Sequence, residues 1–286
     1  MISIVLPAYN EDPAIGRTLD ELRRVLDGAT LSPYEIIVVD DGSTDRTAEF
    51  AARAGARIVT HPDNAGYGRS LKDGIAAATY ETIVILDADG TYPADAIPRL
   101  VVELHRGFDL VVGARTGIHY RGAWFKAPLR SLLTLLAEFT TGRRIPDVNS
   151  GLRVFHRSTA MAYFPQLCDT FSFTTSMTLA YMLTRKYVTH VPIAYATRVG
   201  ATKVRLVRDG LRTLQSIVQS IVYYNPVKMF LLLTAGALML AALAIAILAV
   251  RPDAAWIGIA AIGGMAALVI FALGLVADLL RHLMHR

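Results

Sequence analysis

The feature that most limits what this chain can fold into is a pair of uncharged apolar stretches near its end. Residues 229–250 contain no Asp, Glu, Lys or Arg, and neither do residues 254–277. Each exceeds the roughly 20 residues that cross a bilayer as a helix. Only Arg251-Pro252-Asp253 separates them, so the spacing predicts a transmembrane hairpin with spans at about 229–250 and 254–277. Two buried helices of a soluble protein are the bland alternative. Bases gather on one side of the hairpin: Arg205, Arg208, Arg212 and Lys228 before it, Arg281 and Arg286 after it. The positive-inside rule then places both termini, and the domain ahead of the hairpin, in the cytoplasm. The net charge of +5 therefore points to anionic lipid as a partner rather than nucleic acid. The start of the chain is not expected to be a signal peptide, because residues 1–6 are too few and lack a basic lead. A single cysteine, Cys168, excludes an internal disulfide framework and fits a reducing compartment.

Ahead of the hairpin the pattern alternates strand and helix. Residues 2–6 read as a strand and lead into Pro7-Ala8-Tyr9-Asn10-Glu11. Asp12-Pro13 opens a helix with Ile15, Leu19, Leu22, Val25 and Leu26 on one face. Residues 35–39 form a second strand that runs into Asp40-Asp41-Gly42-Ser43-Thr44-Asp45, where Ser43 or Thr44 can cap the next helix. Residues 57–60 read as an edge strand. Asn64-Ala65-Gly66-Tyr67-Gly68 is a glycine-bearing loop opening a helix over about 69–78. Such alternation predicts a parallel α/β sheet. Its polar, acidic and glycine-bearing loops converge on one edge, and a glycine loop at a helix start offers N–H groups to phosphate.

Ile83-Val84-Ile85-Leu86 is a buried-strand pattern followed by Asp87-Ala88-Asp89-Gly90. Residues two apart on an extended chain face one side, so Asp87 and Asp89 can share one hard cation and, through it, a diphosphate. A solvated turn is the alternative. Residues 109–112 form another strand. The aromatic start and leucine stripe over about 123–141 suit a helix lying in a membrane interface or a core helix of the sheet domain. Residues 188–193 are a last strand, and 209–225 carry a second amphipathic stripe ended by Asn225-Pro226.

Leu6-Pro7-Ala8-Tyr9-Asn10-Glu11, Val38-Val39-Asp40-Asp41-Gly42-Ser43-Thr44-Asp45, Asn64-x-Gly66-x-Gly68 and Asp87-Ala88-Asp89-Gly90 follow one another in this order. Together they resemble family 2 glycosyltransferases of the GT-A fold, over about residues 1–210. The resemblance implies a Rossmann-like, mostly parallel catalytic domain over 1–208, a nucleotide-sugar donor and inverting transfer. Pro7, Tyr9 and Glu11 match positions that hold base and ribose, and Val38 and Asp40 match positions at the base. Asp87, Ala88 and Asp89 match the diphosphate site, with Asp87 and Asp89 holding Mg2+ or Mn2+. Two residues depart from the family pattern: Tyr67 stands where a lysine is usual, and Thr91 where a glutamine is common.

Asp147-Val148-Asn149-Ser150-Gly151-Leu152-Arg153 is similar to the D-x-x-S-G-x-R segment of polyprenol-phosphate sugar synthases, the dolichol-phosphate mannose synthase-like group. Arg198-Val199-Gly200-Ala201-Thr202-Lys203 resembles that group's R-x-x-G-x-S-K loop. Threonines occupy the start of the 173–183 helix where many relatives place a glutamate. The resemblance implies donor or acceptor contacts for Arg198 and Lys203, and binding of the lipid phosphate by Arg115 and Arg130, which are otherwise surface charges. It also allows a homo-oligomer. Asp147 is the candidate base or orienting group, or else it ties down the loop before Ser150. A phosphate monoester is largely anionic at neutral pH, so the acceptor needs little help from a base. The expected product is a polyprenyl-phosphate monosaccharide. A processive polysaccharide synthase is disfavoured because Trp124 and Trp256 are the only tryptophans and neither follows Arg. A membrane scaffold that binds nucleotide sugar without turnover is the third reading.

Overall fold

The computed structural model describes residues 1–29, 31–117, 127–197 and 206–284. They divide into two compact units, one up to Ile217 and one from Val218 onward.

The first unit is built on a seven-stranded sheet. Its strands are β1 (Ile2–Ala8), β2 (Tyr34–Asp40), β3 (Arg57–Thr60), β4 (Thr82–Ile85), β5 (Leu110–Thr116), β6 (Arg153–His156) and β7 (Val188–Ala194). They lie side by side in the order β3-β2-β1-β4-β6-β5-β7. Every pairing is parallel except those of β6, which runs against both β4 and β5. The sequence pattern did not mark β6, which is only four residues long. Its reversal has a consequence for the site. The 147–152 loop that feeds it arrives at the same sheet edge where β1, β2, β4 and β5 end.

The helices of this unit are α1 (Asp12–Gly28), α2 (Thr47–Arg53), α3 (Tyr67–Ala77), α4 (Ile97–His105), α5 (Ala127–Thr141), α6 (Arg157–Ala162) and α7 (Phe173–Leu183), followed by α8 (Leu206–Tyr224), which runs on into the second unit. In α1 the Ile15, Leu19, Leu22 and Leu26 side chains are fully buried and join Ile2, Ile4, Leu6 and Val38 in one core cluster. Burial of each leucine or isoleucine stabilises by about 1.5–3 kcal/mol, which outweighs the weak propensity of a helix that has no side-chain cap. The capping expectation at α2 is corrected. Asp45 Oδ1 accepts from the Thr47 N–H at 2.9 Å, whereas Ser43 and Thr44 bond to the loop after β1. In α5 Leu133 and Ala137 are buried, and Leu132, Leu135 and Phe139 are exposed. The start of that expected helix, before Ala127, lies outside the described residues.

The second unit holds the end of α8 and two long helices, α9 (Pro226–Val250) and α10 (Ala254–Met284). Pro226 sits at the first turn of α9, and Asn225 Oδ1 caps it by accepting from the Lys228 N–H at 3.2 Å. The helices pack closely where side chains are small: a Cβ on Gly263 would lie 3.0 Å from Ala241 Cβ, and one on Gly274 would lie 2.5 Å from Phe230 Cβ. In each apolar window only 11% is buried. A core helix of a soluble protein hides most of its surface, so these two suit a hydrocarbon surrounding instead.

Candidate active site

The site begins where β1 and β2 end level with each other, Ala8 opposite Asp40. Beyond them two loops are laced together. Asn10 takes a left-handed conformation (φ 52°), and its Oδ1 accepts from the Thr44 N–H at 2.8 Å. The Asn10 N–H donates to Ser43 Oγ at 3.0 Å, and the Glu11 N–H to Thr47 Oγ1 at 2.8 Å. Asp40 Oδ1 accepts from the Ser43 N–H at 3.2 Å. Pro7 and Tyr9 remain partly exposed beside this lacing, and Glu11 and Asp40 are buried within it. Val38 belongs to the core cluster with no exposed surface.

The acid pair sits differently from the expectation. β4 stops at Ile85, and the chain turns through residues 88–90, with Gly90 at φ +73°. The extended-strand argument for a shared face therefore does not apply, and the two carboxylates are placed by their neighbours. The Tyr67 hydroxyl donates to Asp87 Oδ1 at 2.8 Å. Thr91 donates to Asp89 Oδ1 from its N–H at 3.1 Å and from Oγ1 at 2.6 Å. Ala88, almost fully buried, accepts at its carbonyl from Thr18 Oγ1 at 3.2 Å. The two departures from the family pattern, Tyr67 and Thr91, are thus the donors that hold the two acids. Asp87 also lies against Gly151, where a Cβ would fall 2.5 Å from Asp87 Oδ2 and 2.7 Å from Oδ1. Among the described residues no cluster of three or more His, Cys, Asp or Glu suits a metal. Two carboxylates that leave the remaining positions to water and substrate oxygens are a donor set that fits Mg2+ or a similar hard ion.

The third wall is the 147–152 loop. Asp147, 3% exposed, accepts at Oδ2 from Arg115 Nε at 2.7 Å and at Oδ1 from Arg115 Nη2 at 2.8 Å. It also accepts from the Arg115 N–H at 3.1 Å and the Asn149 N–H at 3.2 Å. The Arg115 guanidinium lies over the Tyr195 ring, 5.4 Å from its centroid. Behind the loop Arg153 is completely buried. It donates to the carbonyls of Ser150 and Val148 and to Thr178 Oγ1, each at 2.8 Å. Burial lowers its pKa to about 10, so it stays charged at neutral pH. Ser150 Oγ donates to the Gly113 carbonyl at 2.5 Å, and the Gly151 N–H to the Tyr92 hydroxyl oxygen at 2.6 Å. Thr175 Oγ1, at the start of α7, bonds Asn149 Oδ1.

In the glycine loop most N–H groups near the helix start are used within the protein. The N–H groups of Ala65 and Gly66 are taken by Asp41, at 2.8 and 2.9 Å, and that of Arg69 by the Asp169 carbonyl at 2.9 Å. They are not on offer to a phosphate. The glycines serve close approach instead: a Cβ on Gly68 would lie 2.2 Å from the Cys168 carbonyl oxygen. Asp41, which also accepts from or bonds His61 Nδ1 at 2.7 Å, is the organising residue here. The sequence reading passed over Asp41, Tyr92 and Arg153 as site residues. Asp41 and Arg153 stood inside quoted motifs, but Tyr92 carried no signal. Arg198, Lys203 and the Arg130 side chain lie outside the described residues.

Residues 3–164 match the Glycosyl transferase family 2 profile. A dolichyl-phosphate hexose transferase of Haloferax volcanii is 28% identical over 222 residues, 76% of this chain and 92% of that protein. An undecaprenyl-phosphate 4-deoxy-4-formamido-L-arabinose transferase of Edwardsiella ictaluri is 33% identical over 167 residues, 56% of this chain but only 50% of that protein. Among solved structures, glucosyl-3-phosphoglycerate synthase of Mycobacterium tuberculosis, crystallised with Mn2+, UDP-glucose and phosphoglyceric acid, superposes with a TM-score of 0.60 at 25% identity, covering 77% of this chain and 78% of that one.

Proposed function

The chain belongs to glycosyltransferase family 2, and from that premise we propose that it moves a hexose from a nucleotide sugar to a polyprenyl phosphate in the membrane. The observation that carries this reading is the joining, in one chain, of an acid-bearing sheet edge to two long apolar helices only 11% buried in their spans. The names of the Haloferax and Edwardsiella relatives support a lipid-phosphate acceptor. The mycobacterial synthase, whose crystals hold phosphoglyceric acid, supports the wider point that this fold accepts phosphate-bearing acceptors.

In the proposed reaction the loops after β1 and β2 receive base and ribose through Pro7, Tyr9, Glu11 and Asp40. Asp87 and Asp89 would hold a divalent ion, whose chemistry is to neutralise the donor diphosphate as it leaves. Arg115 receives the acceptor phosphate, and Arg130, Arg198 and Lys203 add positive charge to the same region. An anionic phosphate oxygen attacks the anomeric carbon, the bond to the nucleoside diphosphate breaks, and the configuration inverts. Because that oxygen is already largely deprotonated, Asp147 is assigned to orienting the Arg115 guanidinium through its two-point contact rather than to accepting a proton. The exposed side of α5 rests in the membrane interface, the hairpin spans the bilayer, and both termini lie in the cytoplasm.

The test is a donor panel. Membranes carrying the full chain are incubated with labelled UDP-hexoses and GDP-mannose and extracted with organic solvent. Label in a short lipid supports the proposal; label in polymer, in a water-soluble product or in neither fraction refutes it.

A further inference from the structure

We propose that Tyr195 is a positioning residue for the lipid-phosphate acceptor: its ring face sets the plane of the Arg115 guanidinium, and so the direction in which that arginine meets a phosphate. The inference rests on the proposed role of Arg115 and deepens it.

Arg115 lies near the end of β5, level with Ile193 on β7, and Tyr195 directly follows β7. The chain leaving β7 is tied down there, because the Ala196 N–H donates to the Thr91 carbonyl at 3.0 Å. Tyr195 is partly buried against the core cluster. Arg115 Cζ stands 5.4 Å from its ring centroid, inside the roughly 6 Å over which a cation is drawn to an aromatic face. The Arg115 side chain is 16% exposed and that of Asp147 2%, so the contact is partly desolvated and stronger than on an open surface.

The ring is itself supported. Tyr92, almost fully buried, meets it edge to face, with 5.3 Å between centroids and 73° between planes, an arrangement that suits the ring quadrupoles. The Tyr92 hydroxyl oxygen accepts from the Gly151 N–H at 2.6 Å, and Gly151 belongs to the loop whose Asp147 grips Arg115. The contacts close a circuit from Asp147 through Arg115, Tyr195 and Tyr92 to Gly151, and back along the loop. Gly151 also abuts Asp87, so the circuit ties the acceptor arginine to the acid pair on the donor side.

A guanidinium presents its N–H groups in one plane, and a phosphate is met along that plane. A two-point contact along one edge, such as the one Asp147 makes, still permits tilt about that edge. A ring against the face resists the tilt and attracts the charge through its quadrupole. An aliphatic side chain of similar bulk fills the space but supplies no such attraction.

The experiment reads acceptor binding directly, without a donor. The full chain in detergent is titrated calorimetrically with farnesyl phosphate, and farnesol serves as the blank for partition into micelles. Tyr195→Phe, which keeps the ring, is expected to bind within about twofold of the unaltered chain. Tyr195→Leu is expected to raise Kd by roughly fivefold to tenfold. In the Arg115→Ala background the same change to leucine should have no further effect, because a residue that acts through the arginine has nothing left to act on. Fluorinated phenylalanines at residue 195 keep the ring's shape while withdrawing charge from its face, and should weaken binding stepwise. A residue that only fills space would not show that trend, and this series decides where Tyr195→Leu does not fold. A loss in Tyr195→Phe equal to that in Tyr195→Leu, equal weakening by Tyr195→Leu with and without Arg115, or a flat fluorination series overturns the proposal. If Arg115→Ala weakens binding while Tyr195→Leu does not, only this inference fails. If Arg115→Ala leaves binding unchanged, or the unaltered chain does not prefer farnesyl phosphate to farnesol, the acceptor reading of Arg115 fails and this inference with it.

Discussion

Replacing Arg153 by methionine tests whether the 147–152 loop is held from behind by a buried cation. The side chain has no exposed surface and makes three hydrogen bonds at 2.8 Å, to Ser150, Val148 and Thr178. Hydrogen bonds to a charged group contribute about 1.5–3 kcal/mol each. Against them stands the cost of burying the charge. The fall in pKa from 12.5 to about 10 corresponds to about 3 kcal/mol that methionine recovers. The balance leaves a net loss of about 3 kcal/mol. For a unit of some 200 residues this lowers Tm by roughly 10 °C. The assay is thermal unfolding of the full chain in detergent, followed by near-ultraviolet circular dichroism. Turnover is measured well below the new Tm, where the orphaned carbonyls leave Asp147 and Gly151 loosely placed and activity is expected to drop as well. A variant with unchanged Tm and unchanged turnover would show that the loop is held by its other contacts and that the argument from Arg153 is wrong.

Four further outcomes are expected. Asp89→Ala should cut transfer by roughly a thousandfold or more while the melting curve is kept; normal turnover in this variant removes the claim that the acid pair is catalytic. Arg115→Ala should raise KM for the lipid acceptor by roughly 10- to 100-fold. Asp147→Asn should follow it in KM, whereas a loss confined to kcat would make Asp147 a base. His190, which burial depresses from 6.5 to about 4 and whose Nε2 is buried without a hydrogen-bond partner, should make stability pH-dependent. The unfolded chain binds this proton more tightly, so the contribution is complete above pH 6.5 and is lost as pH falls toward 4, up to about 3 kcal/mol. Melting curves between pH 7 and 4.5 should show that slope, and His190→Gln should flatten it.

The apolar spans, the strand-helix alternation and the family were all open to reading before any coordinates. Each rests on a pattern that is local in the chain: a run without charge, a period of two or of 3.6, a short motif in order. The acid pair was legible as a pair, and Arg115, Asp147 and the motif around Arg153 were legible as pieces. Their relations were not. That Asp147 grips Arg115, that Tyr67 reaches Asp87 and that Asp41 occupies the loop N–H groups are contacts between residues some 20 to 32 positions apart. No sequence period encodes such contacts.

From the sequence alone came the pair of long apolar helices, the α/β class and which residues carry charge toward the sheet edge, because hydrophobic burial and strand or helix geometry act on neighbours along the chain. The tertiary structure decided what each polar group spends its hydrogen bonds on. The reversed strand β6 brings a distant loop to the edge where the parallel strands end, and once there its buried arginine and glycine set the surroundings of Asp87. A buried donor or acceptor must find a partner wherever the fold places one, and for these residues the partner lay across the sheet rather than along the chain.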